Sequence, residues 1–175
     1  MAEKSGLFHS EDPKVWQRTS DLYWDVIEAK GTKKKKLISL DKWYQEQLPP
    51  CIAARPQKHL TREELVKLME WKLTRGKFRP RLQQLVASNP DGAVETCTGK
   101  AFELLPDVSA AINELCQLKG IGPATASASS DKWTPHRVEL CLWTWEVAQK
   151  LCPNLLVSLE SGEVEGRPKK KLKTK

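Results

Sequence analysis

Nowhere does the sequence hold about 18 apolar residues in a row, so no ordinary membrane-spanning helix is expected. Its opening, MAEKSGLFHSEDPK, has no apolar h-region, and a secretory leader is not expected either. Strand-like alternation and internal repeats are missing, which sets aside β architectures and solenoids. No C-x-x-C pair occurs. The five cysteines, Cys51, Cys97, Cys116, Cys141 and Cys152, are odd in number and irregularly spaced, as expected of reduced thiols in an intracellular protein. That spacing also speaks against a structural zinc site. Neither G-x-x-x-x-G-K-[ST] nor G-x-G-x-x-G is present, and His9, His59 and His136 are scattered, so nucleotide binding and Ser/His/Asp chemistry have no foothold.

Positive charge is present but unevenly placed. Arg167, Lys169, Lys170, Lys171, Lys173 and Lys175 supply six of the seven net charges, leaving +1 on residues 1–166. A second run, Lys30 with Lys33–Lys36, supplies five more, so the rest of the chain is slightly acidic. Net charge alone therefore does not make the body a basic, nucleic-acid-binding domain. The C-terminal run, RPKKKLKTK, resembles a nuclear-localisation signal read by an import receptor, which predicts a nuclear protein. Lys33–Lys36 reads equally as a solvated loop.

What is abundant is helical pattern. Pro13 and the acidic residues before it open a helix over SEDPKVWQRTSDLYWDVIEAKG that Gly31 stops. The loop GTKKKK follows, then a short helix over SLDKWYQEQL that Pro49-Pro50 ends. TREELVKLMEWKLTRG carries a capping box, Thr61 with Glu64, and Leu68 and Met69 are its core anchors. RLQQLVAS is helical. NPDGAVETCTGKAFELLP is expected to be helical only at its centre, weakened by Gly92, Thr96, Thr98 and Gly99. DVSAAINELCQL is a helix capped by Asp107, and TPHRVELCLWTWEVAQKLCP is another, with Thr134 as N-cap, Pro135 at N1 and Pro153 as stop. Beyond Asn154 the chain is rich in Gly, Glu and Lys and is expected to be disordered. The expected fold is all-α: one multi-helix domain over residues 10–152 and a disordered basic tail over 153–175.

Between two of these helices lies LKGIGPATA, which fits apolar-x-Gly-apolar-Gly-x-x-x-Ala. Gly120 and Gly122 permit backbone angles that a Cβ forbids and allow close approach of a phosphate. Ile121 turns inward to pin the loop. Pro123 suits N1 of the next helix, whose first amides favour an anion. Over residues 108–128 the chain is similar to the helix-hairpin-helix family of DNA glycosylases and other repair proteins. The resemblance implies that Lys119, Gly120, Ile121, Gly122, Ala124 and Thr125 meet one DNA strand through its backbone. It also implies that a monovalent cation can sit among the loop carbonyls; no other cofactor and no metal site are expected.

The departures from that family remove its chemistry. Lyase members carry a catalytic Lys two residues after the second Gly, where this chain has Ala124. The family's catalytic Asp follows by about twenty residues, near Trp143 here, and no Asp occurs after Asp131. The four-Cys set of the iron–sulfur members is absent too. The expectation is a non-enzyme that holds DNA weakly and without sequence preference. Because Ser129-Ser130-Asp131 breaks the second helix so early, a shortened isoform lacking the following segment is one explanation, and a compact variant is the other.

Two further features compete. KLTRGKFRPRL sets Arg75, Lys77, Arg79 and Arg81 around Phe78, which suits either a secondary phosphate-gripping patch or a solvated loop with Phe78 folded inward. The inward loop is the favoured expectation. The helix over 135–151 is apolar on two faces, one holding Trp145 and the other Trp143, which suits either a central core helix or a surface that docks a protein partner through those tryptophans. An interaction module in which the hairpin is merely a turn is accordingly the alternative function.

Overall fold

The structure, a computed structural model, describes residues 7, 10–126 and 135–160. Among these, every regular element is helical and none is a strand. Residues 127–134 and 161–175, and with them the expectations for Asp131, Thr134 and the run Arg167–Lys175, lie outside the described residues. The chain gathers into two compact units, Ile27–Glu139 and Met1–Val26 with Leu140–Lys175.

Helix α1 (Pro13–Asp21) starts as its sequence dictates: the Asp12 carboxylate accepts the Lys14 amide at 2.8 Å and Pro13 sits at the first position. Helix α2 (Tyr23–Gly31) abuts it. The expected single helix is interrupted only at Leu22, and the backbone ladder crosses that residue: Leu22 donates to Arg18 and Val26 to Leu22.

Within Ile27–Glu139, α3 (Leu37–Lys42) runs through a π-helical turn, Trp43–Gln47, into α4 (Leu48–Ala53). Pro49-Pro50 does not end this helix as expected. The wide turn bonds the Leu48 amide to the Trp43 carbonyl, so the prolines enter the first turn of α4, where a missing N–H costs little. Helix α5 (Arg62–Arg75) has the predicted capping box, with Glu64 N–H on Thr61 Oγ1 at 3.2 Å and Thr61 N–H on Glu64 Oε2 at 3.0 Å. Burial pushes the Glu64 carboxyl up, but hydrogen bonds from Arg55 and the Thr61 amide outweigh it and hold the group below the usual carboxylate range.

Leu68 and Met69 are buried as predicted, and so is Trp71. Its indole stacks on Tyr44 with ring centres 3.9 Å apart and donates to the fully buried Asp41 at 2.7 Å. Helices α6 (Pro80–Ala87), α7 (Asp91–Glu103) and α8 (Val108–Leu115) complete the unit with the short α9 (Pro123–Ala126). Helix α7 is regular along its whole length, not only at its centre. The Thr98 hydroxyl gives its proton to the Val94 carbonyl and receives the Leu60 amide at 2.9 Å, so a residue with modest helix propensity is repaid by tertiary contact.

The other unit contains α1, most of α10 (Pro135–Leu151) and α11 (Pro153–Glu160). Val26, Val147, Ala148 and Leu156 form its core. Pro153, expected as a stop with disorder following, instead opens α11, since the same residue that ends one helix fits the first position of the next.

Candidate nucleic-acid interface

The loop between α8 and α9 is the place to build from. Leu118 and Ile121 are buried, and the Ile121 amide closes a turn on the Leu118 carbonyl at 3.1 Å. Between them Gly120 has φ +78°, a conformation that L side chains rarely adopt. A Cβ there would lie 2.9 Å from Val86 Cγ2 and 3.2 Å from the Val86 amide nitrogen. The close approach that Gly120 permits is therefore to α6 of its own chain. Gly122, expected to need a restricted conformation, does not: its φ is not positive and a Cβ would meet nothing within 4 Å.

What fastens the loop is Asn89, which no motif singled out. This buried side chain donates to the carbonyls of Val86 (2.9 Å) and Lys119 (3.0 Å) and accepts the Lys119 amide at 2.9 Å. One carboxamide thus ends α6 and holds the hairpin loop against it. Beneath α9 lies an apolar cavity of about 60 Å³, bordered by Leu65, Leu68, Ile112, Ile121 and Ala126. The loop is thus held from two sides, by Asn89 at the end of α6 and by Leu118, Ile121 and Ala126 in the core.

These bonds sort the predicted hairpin residues. The Lys119 side chain is exposed and Gly122 partly exposed, whereas Ile121 is buried with its amide committed. Thr125 is buried, and its hydroxyl accepts the Lys72 ammonium at 2.8 Å. Ala124 lies in α9. The carbonyls of Leu118, Lys119 and Gly122 each accept an N–H group of this chain. Among the described residues no group of three His, Cys, Asp or Glu could hold a metal ion.

Lys72 brings α5 to the hairpin. Burial lowers its ammonium to about 8, with Arg75 and Arg79 pushing the same way and Glu139 opposing. Between that value and the ordinary 10.5, the unfolded chain holds a proton that the folded chain has lost. Stability owed to Lys72 must therefore rise as pH climbs through this window. Denaturant midpoints of the parent and of Lys72→Met, measured across it, are expected to diverge in the parent's favour as pH rises. A constant difference would remove the assignment.

The α5–α6 connection adds the second basic group. Arg75 does not join it: the guanidinium is buried, bound to Glu139 at 3.0 and 3.1 Å and 5.2 Å from the Trp71 ring centre. Lys77, Arg79 and Arg81 are exposed. Phe78 is 63% exposed, not folded inward as expected. Helix α6 starts just after it with no side-chain cap and no acid in its first turn. An eight-residue helix is about 12 Å long, so α6 carries the basic loop at one end and the hairpin at the other.

In α10, Trp143 and Trp145 are half-buried against the Val147 cluster, and Trp143 lies 5.9 Å from the Tyr23 ring. Leu151, on the same helix, is more exposed than either tryptophan. Compared with protein-family models, curated proteins and solved structures, the chain matches none.

Proposed function

We propose that this chain binds DNA through the phosphodiester backbone, without catalysis and without reading sequence, and that it works in the nucleus. The supporting observation is the clasp on Lys119: its amide and carbonyl are tied to Asn89 while its ammonium is left to solvent. A cation on an immobilised loop loses little freedom when a phosphate arrives, and Gly122 beside it leaves room for that phosphate. Ala124 and the want of any Asp after Asp131 favour binding over base excision. The run Arg167–Lys175 is what an import receptor would read.

A salt titration of duplex binding tests this. Affinity is expected to fall steeply with salt, and Lys119→Ala should reduce the slope by up to about one unit. Gly122→Ala should remain fully stable, since its methyl enters open space, yet weaken binding by a similar factor on every sequence. Unchanged binding by a folded Gly122→Ala would make the loop a structural turn. A protein partner whose capture depends on Trp143 and Trp145 would then be the better account.

A further inference from the structure

We propose that Phe78 is a stacking platform for an unpaired base, making a single-stranded or locally opened DNA strand the preferred ligand. This deepens the reading above and rests on it. A phenyl ring left in water forfeits the free energy that burial would return, and folding inward was open to a residue in a four-residue connection. The ring instead stands out, in a connection anchored at both ends. Lys34 Nζ donates to the carbonyls of Thr74 (2.5 Å) and Gly76 (3.0 Å), the Gly76 amide returns to Lys72, and Pro80 fixes the start of α6. Such bracing lowers the ordering cost of binding.

The charge around the ring suits the strand on which a base would come. From Trp71 to Pro90 there is no Asp or Glu. Exposed cations stand one residue before Phe78 and one and three residues after it: Lys77, Arg79 and Arg81. Lys34 brings the GTKKKK turn alongside the start of the connection, and Lys33 and Lys35 in that turn are exposed. A backbone-gripping basic groove with an aromatic on which bases stack is how single strands are held without sequence preference. In a duplex both faces of a base are already covered by its neighbours, leaving the ring nothing to stack on. An anionic lipid surface would also meet a basic loop with one aromatic, but a lone phenyl ring offers little apolar area for insertion.

The test is equilibrium binding of the full chain to labelled oligo-dT of about 15 nucleotides and to a matched duplex, for the parent, Phe78→Ala, Phe78→Trp and Lys119→Ala. Phe78 is exposed, so its variants should melt as the parent does. Phe78→Ala is expected to weaken oligo-dT binding about 5- to 150-fold with an unchanged salt slope, and duplex binding less than about twofold. Phe78→Trp should restore the affinity. Equal losses on both ligands, or no loss on oligo-dT, would overturn the proposal. So would loss of binding to phosphatidylserine vesicles by Phe78→Ala while oligo-dT affinity holds. Phe78-dependent oligo-dT binding with no Lys119 effect on the duplex would support Phe78 and sink the hairpin reading. Lys119-dependent duplex binding with no Phe78 effect would do the reverse.

Discussion

Trp71→Ala is expected to cost about 4–8 kcal/mol, a large share of the about 5–15 kcal/mol that keeps a small domain folded. Two losses combine. Removing a fully buried indole leaves a hole worth about 3–5 kcal/mol, because Tyr44 loses the ring it stacks on and the surrounding side chains cannot fill the space. Asp41, with no exposure of its own, also loses a donor at 2.7 Å, and a buried acceptor so deprived costs about 1–3 kcal/mol. Trp71→Phe separates the terms, since it keeps most of the stack and drops only the donor. It is expected to cost about half as much, read from the shift in denaturant midpoint at unchanged slope. If the alanine variant stays within about 1 kcal/mol of the parent, the Tyr44–Trp71–Asp41 cluster is not where this unit's stability lies.

Asn89→Ala is the second large effect, at about 2–4 kcal/mol. The side chain serves one amide and two carbonyls, and its loss strands buried backbone groups in addition to the bonds themselves. Unlike Trp71→Ala, it should damage binding beyond its effect on folding, because Lys119 is then no longer held beside α6. Gly120→Ala strikes the same junction from the other side, forcing a methyl against Val86 in a backbone conformation that already disfavours it. Thermal unfolding followed alongside DNA binding distinguishes the cases. A variant with near-parent stability and near-parent binding would show that the clasp is dispensable.

Much of the helical scaffold was legible because its signals are local. The capping box at Thr61, the Asp107 cap and the anchors Leu68 and Met69 depend on residues within a turn or two of one another. Trp71 falls outside any single apolar stripe, because α5 buries Leu65, Leu68, Met69, Trp71 and Leu73 around more than one face. Pro49-Pro50 marks the beginning of a helix and not its end, and Pro153 does both, closing α10 and opening α11. At the candidate site the glycine pattern pointed to the wrong glycine for strain, since Gly120 and not Gly122 has the positive φ. Which of the two takes a positive φ depends on Val86, which lies far away in sequence. Asn89 carried no usable signal: in NPDG it looks like an ordinary turn residue, and its partner is 30 positions downstream. The anchoring of the α5–α6 connection by Lys34 spans 40 residues or more, a reach that no window of pattern covers.

Between Asn89 and Lys119 the chain makes a round trip. It departs, forms α7 and α8, and comes back to the very side chain it left, so the two ends of the excursion are moored to each other and not merely to the core. The entropy of closing such a ring grows only with the logarithm of its length, about 0.6 kcal/mol per doubling. Residues added at the far end of the trip, around the exposed Leu104 and Leu105, would accordingly lengthen the ring without shifting its mooring. Lengthening the outer turn should therefore leave Lys119 at its station beside α6.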